Sequence, residues 1–570
     1  MLEAHIRQLF IESVAACQRS AGWPTDLSVP AFELETPKQA AHGDFATNLA
    51  MVLARTLRQP PRQVAETLIK HLPPDAAIAQ AVVAGPGFIN CTLAPDWLFA
   101  QLAHVVQAGP RFGTSPTHAG ERCLVEFVSA NPTGPLHVGH GRGAIYGDVL
   151  GNVLRAVGYD VIKEYYLNDT GVQIRTLGRS VWLRLRELQG EAIEFPSDAY
   201  QGSYITDLAR QIIAAGEWPT LSAMTDADRL AWCGQYAGAA ILRGIQADLA
   251  ACGVVLDHYF SETTLHQTGA VEKTLQTLRD AGHVFEHEGA LWFRSTAFGD
   301  DKDRVVRKSD GQYTYFAADI AYHAEKCARG FARMVDVWGA DHAGHVTRMH
   351  AAVQALGFDP QRLDCVLLQL VNLLRDGALV SMSTRSGEFE TLRDLVDVVG
   401  CDVTRYFYLM RSHQAQLDFD LKLATARTLD NPVYYLQYAH ARIASIFTKA
   451  AESGLTWDPT VVPTAAGLTL PEEVQLARTV AEYPRLVRLA AAELEPHRVP
   501  FYLLDLARQF QSYYSNGKKD PRYRVLGQPP AVGAAKLYLL KAIQTVLQNG
   551  LTLLGVSAPE RMDRTEVLEG

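Results

Sequence analysis

The clearest pattern of apolar and polar positions predicts a strand, a turn, a helix and a second strand. Residues 123–128 are almost all apolar, as expected for a strand that is buried on both faces. Apolar residues then recur at helical spacing from Ala144 to Val157, and Gly158 ends this pattern. Residues 160–167 form the second strand candidate. The pattern predicts a βαβ unit, in which ligands bind at the carboxyl ends of the strands.

The turn of this unit is rich in glycine and contains two histidines. From Ser129 to Gly141 it reads Ser-Ala-Asn-Pro-Thr-Gly-Pro-Leu-His-Val-Gly-His-Gly, which places His137 and His140 at the start of the helix. Backbone N–H groups at a helix N-terminus favour anions, and imidazole rings donate hydrogen bonds. The turn is therefore a candidate phosphate-binding site. The alternative is that both histidines only cap the loop.

The wider patterns divide the chain into three regions. Residues 1–112 have mixed helix and strand character, and a link rich in Gly, Pro, Ser and Thr follows at 109–118. Strands alternate with helices over 113–412, which predicts a mostly parallel, doubly wound α/β sheet with helices on both faces. A mainly helical insertion is expected near 175–290. Helical patterns dominate 413–570 and predict an all-α bundle.

Composition excludes several classes of protein. With 570 residues, the chain is too long for one hydrophobic core, and 48% hydrophobic with 20% charged residues is typical of globular domains. The net charge of −9 argues against indiscriminate nucleic-acid binding, although local basic patches still allow a shaped polyanion as partner. No segment resembles a membrane span or a signal peptide, so we expect a cytoplasmic protein. Eight scattered cysteines without a Cys-x-x-Cys pair favour neither disulfides nor zinc.

Further motifs occur in the order found in a known family. They are Asn168-Asp-Thr-Gly-Val-Gln173, Tyr200-Gln-Gly-Ser-Tyr204, residues 308–323, Gly339-Ala-Asp-His342, residues 381–389 and residues 431–442. His137-Val-Gly-His140 resembles the HIGH motif of class I aminoacyl-tRNA synthetases, and the complete set resembles arginyl-tRNA synthetases over essentially the whole chain. Four residues alone are a weak match, whereas the ordered set is specific.

The resemblance implies that ATP activates L-arginine as arginyl-adenylate, which is then transferred to arginine tRNA. It also implies that tRNA binds before activation, that Mg²⁺ accompanies ATP and that the enzyme is a monomer. Charge that spreads over phosphate oxygens would be stabilised at the HIGH motif. The implied catalytic residues are His137, His140, Ser383 and Arg385. The implied ATP-binding residues are Gly134, His137, Gly139, His140, Asp341, His342 and Met382.

Arginine recognition requires hydrogen-bond acceptors, because the guanidinium group has five N–H donors and stays charged. The resemblance places Asp319 and Tyr315 at this group, where bidentate pairing would discriminate against lysine or citrulline. The implied arginine-binding residues are Glu126, Ser129, Asn131, Tyr315, Asp319 and Asp341. The alternative for Asp319 is a carboxylate favoured by the helix dipole. His345 is expected either to support its loop or to lie in an ordinary turn.

Contacts to tRNA are expected from the two flanking regions. The resemblance assigns the reading of the tRNA D-loop to Phe88 and Asn90, an aromatic face and an amide suited to an unstacked base. The alternative for Phe88 is a core position. Basic and aromatic side chains of the C-terminal region suit an anticodon loop, although half of its tyrosines are expected in the bundle core. The implied residues there are Tyr435, Tyr438, Arg442, Lys518 and Lys519.

One segment departs from the family pattern. Arginyl-tRNA synthetases often carry Lys-Met-Ser-Thr-Arg-Lys-Gly as a second phosphate-binding loop, whereas this chain has serine in place of both lysines, at Ser381 and Ser386. A lysine that some family members carry just before the HIGH motif is also absent. A charge-assisted hydrogen bond contributes about 1.5 to 3 kcal/mol, so its loss would slow activation about ten- to 150-fold. The candidate replacements are Arg385, Arg375, Arg307 and Lys308.

This departure keeps a second hypothesis open, namely a tRNA-binding paralogue with impaired activation chemistry. The other polar residues of the expected site are all present, which favours the enzyme. A third hypothesis, a different nucleotidyltransferase on the same fold, is disfavoured because such an enzyme has no use for the large helical C-terminal region.

Overall fold

The computed structural model describes residues 2–35, 37, 42–380 and 391–562. Five residues named above, Ser381, Met382, Ser383, Arg385 and Ser386, lie outside this part of the chain, so what the sequence predicts of them stays a prediction.

The N-terminal region combines helices with a small antiparallel sheet. Its elements are α1 (Leu2–Ser20), β1 (Leu34–Glu35), β2 (Phe45–Thr47), α2 (Leu49–Leu57), α3 (Pro61–Lys70), β3 (Ile78–Ala84), β4 (Phe88–Leu93) and α4 (Pro95–Ala108). The strands are ordered β1-β2-β4-β3, and each pair is antiparallel. Apolar residues of α1, such as Ile6 and Phe10, are fully buried in a core of this region's own.

The central region is built on a parallel sheet. Its first elements are β5 (Arg122–Glu126), α5 (Val138–Ala156), β6 (Asp160–Leu167), α6 (Gly171–Leu188), α7 (Ser203–Ala214), α8 (Trp218–Ala223), α9 (Asp226–Ala251) and β7 (His258–Ser261). Next come α10 (Glu262–Gln267), α11 (Ala270–Asp280), β8 (Val284–His287), β9 (Ala290–Phe293), β10 (Arg304–Arg307), α12 (Tyr315–Ala328), β11 (Arg333–Gly339), α13 (Ala343–Ala355) and β12 (Leu363–Leu368). Helices α6 to α9 thus form an insertion between β6 and β7.

The remaining elements form a helical bundle and a third small sheet, in addition to those of β1–β4 and β8–β10. They are β13 (Val371–Arg375), β14 (Ala378–Leu379), α14 (Leu392–Val399), α15 (Cys401–Tyr408), β15 (Leu417–Asp420), α16 (Leu421–Thr425), α17 (Pro432–Glu452), α18 (Pro471–Ala492), α19 (Arg498–Asn516) and α20 (Pro530–Leu554). Short 3-10 helices occupy Gly109–Arg111, Ser295–Phe298, Ala340–His342, Pro360–Arg362 and Pro521–Tyr523. Strand β15 pairs with β13 in parallel, so sheet structure continues shortly beyond residue 412.

The five strands of the main sheet are all parallel, in the order β12-β11-β5-β6-β7. The predicted doubly wound α/β fold is confirmed. Residues of β5 alternate between two cores, since Leu124 packs with one cluster while Cys123 and Val125 pack with another. The chain runs outward from β5 through β6 to β7 and then returns to β11 on the other side of β5. This reversal creates the crevice in which open α/β sheets bind ligands.

A buried arginine connects the helix after β5 with the insertion and the C-terminal bundle. Arg405 of α15 donates hydrogen bonds to Asp148 of α5 at 2.5 Å, to the carbonyl of Cys252 at 2.9 Å and to the carbonyl of Leu554 at 2.7 Å. Lys163 of β6 also donates to Asp148, at 2.6 Å. Buried charges are tolerated only when they are paired in this way.

We expect Arg405→Met to destabilise the protein by about 3 to 5 kcal/mol, because it removes one partner from a buried carboxylate and leaves two carbonyls without donors. Denaturant unfolding measures the change. Arg393→Met is the matched control. Arg393 lies in α14, the helix before Arg405, and forms an exposed ion pair with Asp397 of the same helix. Its replacement should hardly move the transition midpoint. Equal midpoints for the two variants would contradict the structural role of Arg405.

Candidate active site

The candidate site lies at the carboxyl edge of the parallel sheet, where β5 and β11 are neighbours. Asp336 of β11 is paired in register with Glu126, the last residue of β5. Beyond this pair, β5 continues into the loop that contains His137 and β11 continues to Gly339. The two polar segments recognised in the sequence therefore meet at one edge of the sheet.

The chain turns sharply as it leaves β5. The N–H of Ser129 donates to the carbonyl of Phe127 at 2.9 Å, and Val128 between them has a φ of 67°. This is a γ-turn, and positive φ is strained for a β-branched residue. The Ser129 hydroxyl donates to Glu126 at 2.9 Å and accepts the N–H of Tyr166 at 3.0 Å, which stabilises the turn. Strain of this kind is found mostly at functional sites.

His137 and His140 lie one turn apart at the N-terminus of α5. Their rings are stacked with centroids 3.6 Å apart, and the His137 N–H donates to Nδ1 of His140 at 3.2 Å. A neutral His140 therefore carries its proton on Nε2. Burial, followed by the neighbouring His137, lowers the pKa of His140 to about 4, and burial also lowers the pKa of His137. Near pH 7 each ring is neutral and offers one N–H donor.

Two glycines of this loop lie close to aromatic side chains. A Cβ atom at Gly139 would lie 2.9 Å from the His137 ring, and one at Gly134 would lie 3.2 Å from the Tyr204 hydroxyl. Glycine also leaves the backbone N–H groups of the loop accessible to a ligand.

Acidic side chains gather around Tyr166, whose N–H contacts Ser129 in the turn after β5. Asp319 of α12 is half-buried and contacts Nε2 of His345 at 3.0 Å, while Tyr315, one turn earlier, is 59% exposed. Glu262 of α10 is 5% exposed, and burial together with nearby Asp319 raises its pKa. The buried hydroxyl of Tyr166 makes no well-formed hydrogen bond beside these carboxylates. We call Glu262, Asp319 and Tyr166 the acidic pocket, and its two carboxylates suit a cation with many N–H donors.

Sequence reasoning missed Glu262. Its carboxylate enters the pocket because Asp169, at the end of β6, holds the start of α10. Asp169 accepts the Ser261 hydroxyl at 2.5 Å and the Thr263 N–H at 2.9 Å. The motif that begins at Asn168 contained this signal, since a carboxylate at a strand end needs a partner, but the partner lies 92 residues away along the chain.

Glu126 is bound to protein groups on both of its oxygens. Besides the Ser129 hydroxyl, it contacts Nζ of Lys326, which is fully buried and also donates to Asp336 at 2.7 Å. Burial raises the pKa of Glu126. Burial would also raise the pKa of Asp336, but the charges of Lys326 and His323 bring it well below its usual value. Contact between Glu126 and arginine stays a prediction.

His323 connects this ion pair with the helix that carries Asp319. Its Nε2 contacts Asp336 at 2.8 Å and its Nδ1 contacts the carbonyl of Asp319 at 2.8 Å. Tyr322 donates to buried Glu164 at 2.6 Å. These contacts anchor α12 from inside the protein, while Asp319 is half-buried and Tyr315, one turn earlier, is exposed.

The other predicted site residues lie around the same edge. Asp341 and His342 are exposed in the short helix that follows β11, and the His342 ring lies 6.2 Å from that of Trp338. Asn131 is half-buried in the loop after β5. His345 lies in α13 and not in a loop or an ordinary turn, and its ring contacts Asp319.

The predicted tRNA contacts lie in both flanking regions. Phe88 is half-buried and Asn90 is 8% exposed, both in β4. Arg442 of α17 donates to Tyr438 at 2.7 Å, and its guanidinium lies over the rings of Tyr438 and Tyr514 at 4.4 and 4.7 Å. Their roles in tRNA binding stay predictions.

A nearby cavity of about 410 Å³ is lined by Lys518, Tyr514 and Arg524 among other residues. Lys519 is exposed beside it, and Tyr435 is half-buried.

Among the described helices, none has the length and apolar character to cross a membrane. Within the described residues, no group of three His, Cys, Asp or Glu side chains is placed to hold a metal ion.

The parallel sheet, the HIGH-type loop at its switch point and the helical C-terminal region define a class I aminoacyl-tRNA synthetase. Family models agree over most of the chain: the arginyl tRNA synthetase N terminal domain matches residues 4–93, the catalytic domain of tRNA synthetases class I (R) matches 102–197 and 254–406, and the DALR anticodon binding domain matches 436–562. The chain belongs to the arginyl-tRNA synthetase family.

Individual relatives cover nearly the full length. An arginine–tRNA ligase of Desulfosudis oleivorans is 50% identical over 97% of this chain and 99% of its own, and one of Syntrophotalea carbinolica is 48% identical over 98% and 100%. The solved Thermus thermophilus arginyl-tRNA synthetase has a TM-score of 0.76 at 23% identity, covering 99% of this chain and all of that one, which shows a shared fold.

We expect His140 to titrate near pH 4 and to carry its proton on Nε2 at pH 7. As the pH falls from about 6.5 toward 4, the unfolded chain takes up a proton at this residue before the folded protein does, so this group makes the folded state less stable over that range. NMR of histidine labelled with ¹⁵N measures both properties, with His140→Gln for assignment. A pKa near 6.5 would contradict the burial of this ring. A proton on Nδ1 would contradict the hydrogen bond from the His137 N–H.

Proposed function

We propose that this protein ligates L-arginine to its cognate tRNA through an arginyl-adenylate intermediate, releasing AMP and pyrophosphate. The observation that carries the proposal is the meeting of a neutral, N–H-rich loop with an acidic pocket at one edge of the sheet. The loop suits a polyphosphate and the pocket suits a guanidinium group. The names of the close relatives, arginine–tRNA ligases, support the same activity.

The loop after β5 would hold ATP. Neutral His137 and His140 each donate one hydrogen bond, and the N–H groups of Gly134 and Gly139 add donors near the N-terminus of α5. Asp341 and His342 would contact the adenosine side of the crevice. When the arginine carboxylate attacks the α-phosphorus, these donors stabilise the charge on the phosphate oxygens without having to reorganise.

The acidic pocket would hold the arginine side chain. Asp319 and Glu262 supply carboxylate acceptors, and the exposed ring of Tyr315 lies one helical turn from Asp319. A lysine substrate has a single point charge and would leave acceptors unpaired, which is costly inside a protein.

The rest of the substrate would lie against the turn after β5. Ser129, Asn131 and Glu126 are the groups nearest the end of that strand, and a carboxylate there favours the α-ammonium group. Since Glu126 is already bound to Lys326, it would act partly by fixing Ser129.

Residues 113–412 would form the catalytic domain, and the two flanking regions would bind tRNA. Residues 1–112 would read the D-loop through Phe88 and Asn90. Residues 413–570 would hold the anticodon loop through Tyr435, Tyr438, Arg442, Lys518 and Lys519. The described residues provide no metal cluster, so any Mg²⁺ would be held by the phosphates of ATP. We further propose a monomer that works in the cytoplasm, where translation takes place.

A charging assay tests this function. The purified protein with ATP, arginine and arginine tRNA should form arginyl-tRNA, and lysine should not replace arginine. No charging above background at high enzyme concentration would contradict the proposal and favour the tRNA-binding paralogue, a hypothesis that rests on the serine at position 381.

We expect Asp319→Asn to lower kcat/KM for arginine about ten- to 150-fold, because it removes a charge-assisted hydrogen bond, while the KM for ATP and the affinity for tRNA stay close to normal. Steady-state kinetics measure the effect. Glu272→Gln, which alters an exposed carboxylate of α11, is the control. An unchanged arginine dependence would remove Asp319 from the pocket.

We expect Ser381→Lys to accelerate arginine activation, because it returns a cation to the phosphate-binding loop. The rate of arginyl-adenylate formation is the measurement. If the rate falls or stays the same, another cation already serves the loop, with Arg385 the first candidate.

A further inference from the structure

The loop between β5 and α5 is held by its carbonyl groups. Three of them, and the carbonyl of Val138 at the start of α5, accept hydrogen bonds from donors on other elements. The pairs are Ala130 with the Tyr165 hydroxyl at 2.6 Å, Thr133 with the Tyr204 hydroxyl at 2.7 Å, Leu136 with the Leu392 N–H at 2.8 Å and Val138 with the Tyr408 hydroxyl at 2.6 Å. The loop has little regular structure of its own, so these external donors determine how its peptide groups are oriented.

The orientation of a carbonyl decides where the next N–H points. In a trans peptide the C=O of one residue and the N–H of the following residue point in opposite directions. The carbonyl of Thr133 points to Tyr204, so the N–H of Gly134 points away from the insertion. Within the described residues this N–H has no acceptor, and a buried or half-buried donor needs one.

Tyr204 is itself tightly held. It lies in the first turn of α7, and a Cβ atom at Gly202 would lie 2.3 Å from its ring. On the other side, a Cβ atom at Gly134 would lie 3.2 Å from its hydroxyl. Burial raises the pKa of Tyr204 to about 12, so the hydroxyl stays protonated and remains a donor. Glycines on both sides therefore admit the ring to this position.

We propose that Tyr204 is a positioning residue for ATP, because it orients the Thr133–Gly134 peptide so that the Gly134 N–H faces the phosphates. The inference rests on the proposed function for the identity of the ligand. Tyr204 belongs to the helical insertion and lies outside the ranges matched by the catalytic family model. The insertion thus contributes to nucleotide binding without touching the nucleotide.

The test replaces one hydroxyl. We expect Tyr204→Phe to weaken the binding of a non-hydrolysable ATP analogue about two- to tenfold in calorimetry, which corresponds to one neutral hydrogen bond. The KM for ATP should rise by a similar factor, while the KM for arginine and the melting temperature stay nearly unchanged. A general structural role would instead move both KM values together.

Tyr200→Phe is the matched control. Tyr200 lies in the same insertion, and its hydroxyl makes no hydrogen bond to any described residue, so its removal should not change ATP binding. Gly134→Ala perturbs the contact from the opposite side and should also weaken ATP binding.

Two outcomes overturn the proposal: unchanged ATP affinity in Tyr204→Phe, or an equal loss in Tyr200→Phe. Calorimetry needs no turnover, so it separates this inference from the proposed function. A protein that fails to charge tRNA but loses ATP affinity on Tyr204→Phe would contradict the function alone, whereas normal charging with unchanged affinity would contradict the positioning role alone.

Discussion

The buried ammonium group of Lys326 is the interaction on which the geometry of the candidate site depends. It lies between Glu126, the last residue of β5, and Asp336, which is close to the end of β11. These two strands are neighbours at the topological switch. Glu126 holds Ser129 in the strained turn that leads to the histidines, while Asp336 holds His323 beneath Asp319. The loop of His137 and His140 and the acidic pocket are therefore both connected to the same buried charge. Removing one partner from such a network typically costs about 3 to 5 kcal/mol.

The electrostatics of the site separate its two halves. The loop offers neutral imidazole rings and backbone N–H groups. These donors suit an anion, and their protonation does not change near pH 7. The acidic pocket keeps two carboxylates close to a buried tyrosine hydroxyl, and burial is the main reason why the pKa of Glu262 is raised. Binding of a guanidinium group there would add a positive partner for both carboxylates, as the proposed function requires. With serine in place of both loop lysines, we expect the histidines and N–H groups to supply a larger share of the charge stabilisation, unless a cation such as Arg385 replaces the lysine.

Much of this arrangement could be predicted from the sequence, for identifiable reasons. Residues 123–128 and 160–167 predicted adjacent strands because their apolar character is local, and the parallel sheet is confirmed. The ordered motifs predicted the family, which the comparisons confirm. Glu262 could not be found in this way, because it reaches the pocket through Asp169, a contact between distant segments. The role of Lys326 was also hidden, since a lysine on a helix is usually solvated and only the fold places it between two carboxylates. The boundaries 1–112, 113–412 and 413–570 and the individual ligand contacts stay predictions.

The most direct measurement is a crystal structure of the protein with a non-hydrolysable arginyl-adenylate analogue. The account predicts that the guanidinium group lies within hydrogen-bond distance of Asp319 and Glu262, that the phosphate lies against the loop of His137 and His140, and that Lys326 keeps its contacts with Glu126 and Asp336. A guanidinium group bound away from both carboxylates, or a phosphate that does not contact the loop, would contradict it.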